Sequence, residues 1–97
     1  MSIADALRLK PVQRELPDGT PYWLRRPSAA DLIEAIEFSK ATPEKLHAWL
    51  AWKHLYDLRE GILEPVFESM DEALAATATT VTAIGQEAER LYSEGRD

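Results

Sequence analysis

The sequence contains no cysteine, which excludes a disulfide framework and a thiolate metal site and fits a reducing compartment. Glycine is scarce, with four residues in the chain, and they form no Gly-rich phosphate loop. No run approaches the roughly 18 to 20 apolar residues of a membrane span. Residues 1–5 lack a basic n-region, so we do not expect them to act as a signal peptide. These absences predict an intracellular protein that does not contact membranes.

Basic residues are outnumbered, because 11 Lys and Arg stand against 17 Asp and Glu, a formal net charge of −6. A phosphate backbone repels such a chain unless its cations are gathered on one face. Arg25 and Arg26 are the only adjacent pair, and the other cations are scattered. We therefore expect no nucleic-acid partner, and we expect the acidic excess to favour solubility.

Signals for catalysis are missing as well. The sequence has no G-x-S-x-G motif and no Ser beside a positioned His. Glu44, His47 and His54 could be drawn together as a metal site. A polar edge on a partly buried helix explains them more simply, because a metal site needs three or four convergent ligands with supporting hydrogen bonds. The sequence thus predicts a non-enzymatic protein with no catalytic residue, cofactor or metal.

What is present suffices for one small domain over residues 1–97. The chain is 45% hydrophobic, and a chain of this length can bury a single core with little margin. Residues 1–10 are expected to form a flexible lead, because Pro11 stops any helix that begins there.

Residues 12–26 are predicted to form a β-hairpin. Val12, Arg14 and Leu16 alternate with Gln13 and Glu15, the period of a strand with two unlike faces. The turn signal Pro17-Asp18-Gly19-Thr20 follows, in which proline presets φ and glycine accepts positive φ. A strand rich in aromatic residues then resumes before the helical part of the chain.

Capping signals predict the first two of three helices within residues 28–92. Ser28 and Asp31 resemble a capping box, and this helix is expected to end near residue 40. Thr42-Pro43-Glu44 predicts the start of a second helix, which is expected to reach about Arg59.

The third predicted helix begins with the capping box Ser69-Met70-Asp71-Glu72 and continues to about residue 92. Ala78, Gly85 and Ala88 on one side would allow a facing helix to approach closely, either within the chain or in self-association. Residues 93–97 are expected to fray. The predicted fold is mainly α (α+β), an N-terminal β-hairpin followed by three helices packed as a small bundle.

Aromatic residues supply the candidate interaction site. Trp49, Trp52 and Tyr56 share the second predicted helix, and they serve either core packing or contact with a partner. Aromatic side chains dominate interface hot spots, and a small domain cannot easily bury all sides of such a helix. We predict that these three residues, together with Phe67 in the apolar connector, contribute to partner binding.

Two stretches of the chain carry recognisable motifs. The first is Leu16-Pro-Asp-Gly-Thr-Pro-Tyr-Trp-Leu-Arg-Arg-Pro-Ser-Ala-Ala-Asp-Leu-Ile-Glu-Ala35, a strand followed by a helix opening of the form R-x-P-T/S-x-x-D. The second is Glu60-Gly-Ile-Leu-Glu-Pro-Val-Phe67, followed by a capped, Ala-rich helix. Both stretches resemble a known family, the tail assembly chaperones of long-tailed bacteriophages and prophages. Residues 40–58 match no motif of the family.

The resemblance implies a function without chemistry. Such chaperones bind the long, hydrophobic tape measure protein, keep it soluble and help recruit tail tube protein. The resemblance therefore implies these two partners, a location in the cytoplasm of the bacterial host, and absence from the mature virion. A free hairpin edge and the helical seam would also permit a homo-oligomer.

Two other functions remain as alternatives. One is a structural phage adaptor, such as a head–tail connector or a tail-completion protein, which would stay in the particle. The other is a small metal-dependent enzyme built around His47 and His54.

Overall fold

The computed structural model describes residues 10–94, in which antiparallel strands and α-helices combine in an α+β fold. Its strands and helices, in chain order, are β1 (Val12–Glu15), β2 (Pro21–Leu24), α1 (Ala29–Ala41), α2 (Leu46–His54), β3 (Leu55–Arg59), β4 (Ile62–Pro65), α3 (Met70–Ala75) and α4 (Ala78–Ser93). A single 3-10 turn, Pro43–Lys45, leads into α2. The strands form one antiparallel sheet in the order β1-β2-β3-β4. The predicted lead and frayed tail lie almost wholly outside the described residues.

The N-terminal hairpin is confirmed, with Val12 opposite Leu24 and Glu15 opposite Pro21. Its turn forms as the sequence predicts, because the Gly19 N–H donates to the Leu16 carbonyl at 2.8 Å and Gly19 has a φ of +90°. The capping box that begins α1 is also confirmed. The Asp31 N–H donates to Ser28 Oγ, and the Ser28 N–H donates to the Asp31 carboxylate.

A second hairpin, β3–β4, corrects two predictions, the helix that was expected to reach about Arg59 and the apolar connector that was expected to follow it. Helix α2 ends at His54 rather than near Arg59, and β3 follows without a loop. The physical reason is long-range pairing, because β2 already offers a free edge to this segment. Leu55 pairs with Leu24, and the Arg25 N–H donates to the His54 carbonyl at 2.8 Å. The sheet hydrogen bonds outweigh the helical spacing of this segment.

The turn of this hairpin holds two residues, Glu60 and Gly61, with φ of +52° and +80°. Positive φ at both positions defines a type I′ turn, which favours Asn-Gly over Glu-Gly. We expect Glu60→Asn to raise the free energy of unfolding by about 0.5 kcal/mol, because Asn tolerates the left-handed conformation better. Chemical denaturation of the purified variant measures this. Glu60→Ala also removes the charge and should bring no gain, whereas a loss of stability in Glu60→Asn would contradict this turn type.

The helices do not form the predicted three-helix bundle, because the described residues contain four α-helices. The segment predicted as the third helix forms two helices, α3 and α4, which are separated at residues 76–77, where the backbone is extended. Residues 73–80 contain neither Gly nor Pro, so no local sequence signal marks this break. The break lets Ala73 and Val81 both reach the core, where each is buried. Helix α2 is the central element and contacts the other three helices as well as β3 and β4.

The core draws on every α-helix except α1. Its buried apolar side chains are Tyr22, Leu24, Ala48, Trp49, Leu50, Ala51, Leu55, Ala73, Val81, Ile84, Ala88 and Leu91. Helix α1 buries no apolar residue completely, and its Ile33 and Ile36 are 59% and 44% exposed. The domain therefore leaves apolar side chains at its surface that its own core does not use.

Candidate functional site

Three of the four predicted partner-binding residues line one depression on the surface. Trp52, Tyr56 and Phe67 are each half-buried and meet around an open space of about 700 Å³. The depression is completed by a residue that follows β2 and by residues from α2, β4 and the segment after β4: Arg25, Lys53, Glu64, Pro65 and Glu68. We call this surface the aromatic depression.

Its aromatic side chains come from α2, from β3 and from the segment that follows β4. Trp52 lies in the last turn of α2, and Tyr56 lies near the start of β3, directly opposite Pro65 of β4. Residues directly opposite in an antiparallel pair point to the same face, so Tyr56 and Pro65 form one wall. Phe67 follows β4 and packs against the edge of the core. The abrupt change from helix to strand at His54 thus brings Trp52 and Tyr56 together.

Trp49 takes a different place from the other three. Its side chain is 5% exposed and stacks on Phe38 of α1, with ring centroids 5.5 Å apart. This contact helps to attach helix α1 to the core, against which Ala35 of the same helix also packs. Trp49 does not line the depression, and its contact with a partner stays a prediction.

The two cations of the aromatic depression already have acidic neighbours. Arg25 Nη1 lies 2.8 Å from Asp31 Oδ2, and Lys53 Nζ lies 3.6 Å from Glu34 Oε2. Lys53 Nζ also lies 4.5 Å from the centroid of the Trp52 ring. Both positive charges are therefore balanced within the chain, and Lys53 covers one part of the Trp52 ring.

A second, acidic depression of about 470 Å³ adjoins the first along the outer edge of β4. The two share Glu64, Pro65 and Glu68, and the second adds Glu72. Asp57 and Arg59, 3.6 Å apart, balance each other on its β3 side. The prediction from sequence missed these carboxylates, because it treated residues 55–59 as helix and so could not place them beside β4.

A buried polar network lies beneath the aromatic depression. His54 is fully buried, and its Nδ1 lies 2.8 Å from the Arg25 carbonyl oxygen, while its Nε2 bonds the Tyr92 hydroxyl. A carbonyl only accepts, so Nδ1 donates and Nε2 accepts from the Tyr92 O–H. The neutral imidazole satisfies both bonds, and burial lowers the pKa of His54 below its ordinary 6.5.

Asp31 stabilises the same corner as a charged group. Burial alone would raise its pKa, but the hydrogen bonds from the Arg25 guanidinium and the Ser28 N–H lower it below 3.8. Arg25 also donates to the Lys53 carbonyl at 3.4 Å. This network joins β2, α1, α2 and α4, so it fixes the wall from which Lys53 and Trp52 project.

The two histidines do not converge. Both ring nitrogens of His54 are occupied inside the core, whereas His47 Nε2 lies near Glu89 Oε1, 3.9 Å away at the surface. Within residues 10–94, no group of three His, Asp or Glu side chains is arranged to hold a metal ion. In the same part of the chain, no helix has both the length and the apolar content that crossing a bilayer requires.

Comparison of the chain with known protein families, curated proteins and solved structures finds no match.

Proposed function

We propose that this protein is a phage tail assembly chaperone, which binds tape measure protein, keeps it soluble and assists tail tube assembly. The observation that carries the proposal is the aromatic depression, where Trp52, Tyr56 and Phe67 stand half-buried around an open space. Together with the resemblance of residues 16–35 and 60–67 to that family, it favours a protein that holds an apolar client.

The distribution of apolar surface supports the proposal further. Large apolar side chains are exposed on three elements near the depression, with Leu58 43%, Ile62 63% and Val66 42% exposed. The net charge of −6 keeps a chain with such a surface soluble. Both properties suit a chaperone, which must grip an apolar segment without aggregating itself.

Co-expression with the tape measure protein that the proposal assigns as the client tests the proposal. We expect the wild-type chain to move that protein into the soluble fraction. Trp52→Ala and Phe67→Ala should each weaken the complex by about tenfold or more, because truncating a central aromatic contact costs about 2 kcal/mol.

Ile33→Ala is the matched control, because Ile33 is an exposed apolar residue outside the depression. It should leave the soluble yield of the tape measure protein unchanged. Thermal unfolding of each variant separates loss of binding from loss of folding. A tape measure protein that stays equally insoluble with and without the wild-type chain would refute the proposed function.

The proposal also predicts where the protein acts. A chaperone of this kind works in the cytoplasm of the bacterial host and leaves the tail before it is complete. Mass spectrometry of purified virions should then find no stoichiometric copy of this chain. A stoichiometric copy would instead favour a structural adaptor, such as a head–tail connector or a tail-completion protein.

A further inference from the structure

Arg25 and Lys53 in the depressions have acidic partners within the chain, whereas three carboxylates there have no basic partner among the described residues. Arg25 and Lys53 each lie within 4 Å of an acidic partner outside the depressions. Among the described residues, Glu64, Glu68 and Glu72 form no ion pair, although the Glu72 carboxylate accepts a hydrogen bond from the Glu68 N–H. The surface therefore carries uncompensated negative charge on one side of its aromatic walls.

The pairing of β3 with β4 also brings two negative charges together, which lowers the stability of the sheet at this point. Glu64 of β4 lies directly opposite Asp57 of β3. Like charges at directly opposed positions destabilise an antiparallel pair. Arg59 relieves Asp57, at 3.6 Å, whereas Glu64 forms no ion pair within the part of the chain that the structure describes. Natural proteins place such locally unfavourable residues mainly at functional sites, so the opposed carboxylates favour a binding surface here.

Backbone pairing narrows the way in which a partner can bind. Arg59 and Ile62 flank the two-residue turn and form the first hydrogen-bonded pair. Hydrogen-bonded and non-hydrogen-bonded pairs alternate along the hairpin, so the backbone polar groups of Leu63 and Pro65 point away from β3, toward the free edge of the sheet. Pro65 has no N–H to offer at this edge. An added strand would therefore find a single outward N–H, on Leu63, which disfavours binding by extension of the sheet. Side-chain contacts must supply the affinity instead.

From these observations we propose that the joined depressions bind a segment in which an apolar or aromatic side chain lies next to Lys or Arg. The apolar group enters between Trp52, Tyr56 and Phe67, and the cation faces Glu64, Glu68 and Glu72. The inference rests on the proposed function and specifies which segments of the tape measure protein are held. Charge complementarity selects this occupant, because an acidic segment would be repelled by the same three carboxylates.

Fluorescence anisotropy with overlapping peptides that cover the tape measure protein tests the inference on the full-length chain. Peptides that pair apolar residues with Lys or Arg should bind the tightest. Their affinity should fall by about tenfold between about 50 mM and about 500 mM salt, because exposed charges are screened over this range. The triple variant Glu64→Gln, Glu68→Gln, Glu72→Gln should bind about tenfold more weakly and lose most of that salt dependence.

A second triple variant, Glu15→Gln, Glu37→Gln, Glu44→Gln, removes the same charge from exposed residues outside both depressions and should bind as the wild type does. Equal affinity and equal salt dependence in the two triple variants would overturn the inference while leaving the chaperone function intact. If no tape measure peptide and no intact tape measure protein binds the wild-type chain, the proposed function itself fails. Light scattering that shows a dimer lost in Trp52→Ala would instead assign the surface to a second copy of the chain.

Discussion

Gly85→Ala is expected to lower the free energy of unfolding by about 2 kcal/mol, after the gain in helix propensity is taken into account. Gly85 lies in α4 where this helix crosses α2, and a Cβ added there would lie 2.5 Å from the His47 carbonyl oxygen and 2.7 Å from His47 Cα. These are backbone atoms of the central helix, so they cannot move aside as a flexible side chain would. The two helices must separate, which loosens the packing of Ile84 and Ala88 in the core.

Two effects of this substitution oppose each other. Alanine improves helix propensity over glycine by about 1 kcal/mol, whereas forcing a methyl group into a well-packed contact costs about 1 to 3 kcal/mol or more. The clash should win, because all three nearest atoms lie closer than real Cβ contacts permit. Thr82→Ala, at an exposed position of the same helix, changes propensity alone and should be neutral or slightly stabilising. Denaturant titration of both variants measures the difference, and a Gly85→Ala protein as stable as the wild type would contradict the close crossing of α2 and α4.

His54→Ala is expected to lower the free energy of unfolding by about 3 kcal/mol. The imidazole is fully buried and bonds the Arg25 carbonyl and the Tyr92 hydroxyl. Its removal leaves a cavity and two polar groups without partners. His47→Ala is the matched control, because His47 lies at the surface side of the same helix and alanine keeps the Cβ that faces Gly85. This control should change stability by no more than about 0.5 kcal/mol.

The pH dependence of stability identifies the role of His54 separately from packing. Burial lowers the pKa of His54 in the folded chain below the 6.5 of an exposed imidazole. The unfolded chain then binds more protons just below that pH, so the wild type should lose stability as the pH falls from about 7 toward about 5. His47→Ala should keep this loss, and His54→Ala should lack it. The contribution of Asp31, whose pKa is lowered below 3.8, disappears only in a more acidic range.

Local signals in the sequence were sufficient for several elements. The turn after Leu16 and the capping box at Ser28 both form as predicted, because each depends on contacts within four residues. The requirement for close approach at Gly85 was also visible, since glycine within a helix is unfavourable without such a reason. Trp52, Tyr56 and Phe67, which were predicted to bind a partner, lie half-buried around one depression, and their contact with a partner stays a prediction.

The second hairpin could not be derived in this way. Trp49, Trp52 and Tyr56 have the spacing of a helix, and the strand character of residues 55–59 appears only when β2 is present to pair with Leu55. The acidic surface depends on the same pairing, because Glu64 comes to face Asp57 only across β3 and β4. The sequence likewise could not show which aromatic residues are buried and which are exposed, because the burial of Trp49 depends on its contact with Phe38 of α1.

By itself, the sequence determined an acidic chain, its first hairpin, the starts of helices α1 and α3 and the small residue at a helix crossing. These follow from residue chemistry and from interactions between near neighbours. The tertiary structure alone decided that the chain turns from helix to strand at His54, that His54 stays neutral, and that aromatic and acidic side chains adjoin at β4. The reason is physical: each of these depends on hydrogen bonds and burial between segments that are distant in the chain, such as Arg25 with His54 and His54 with Tyr92.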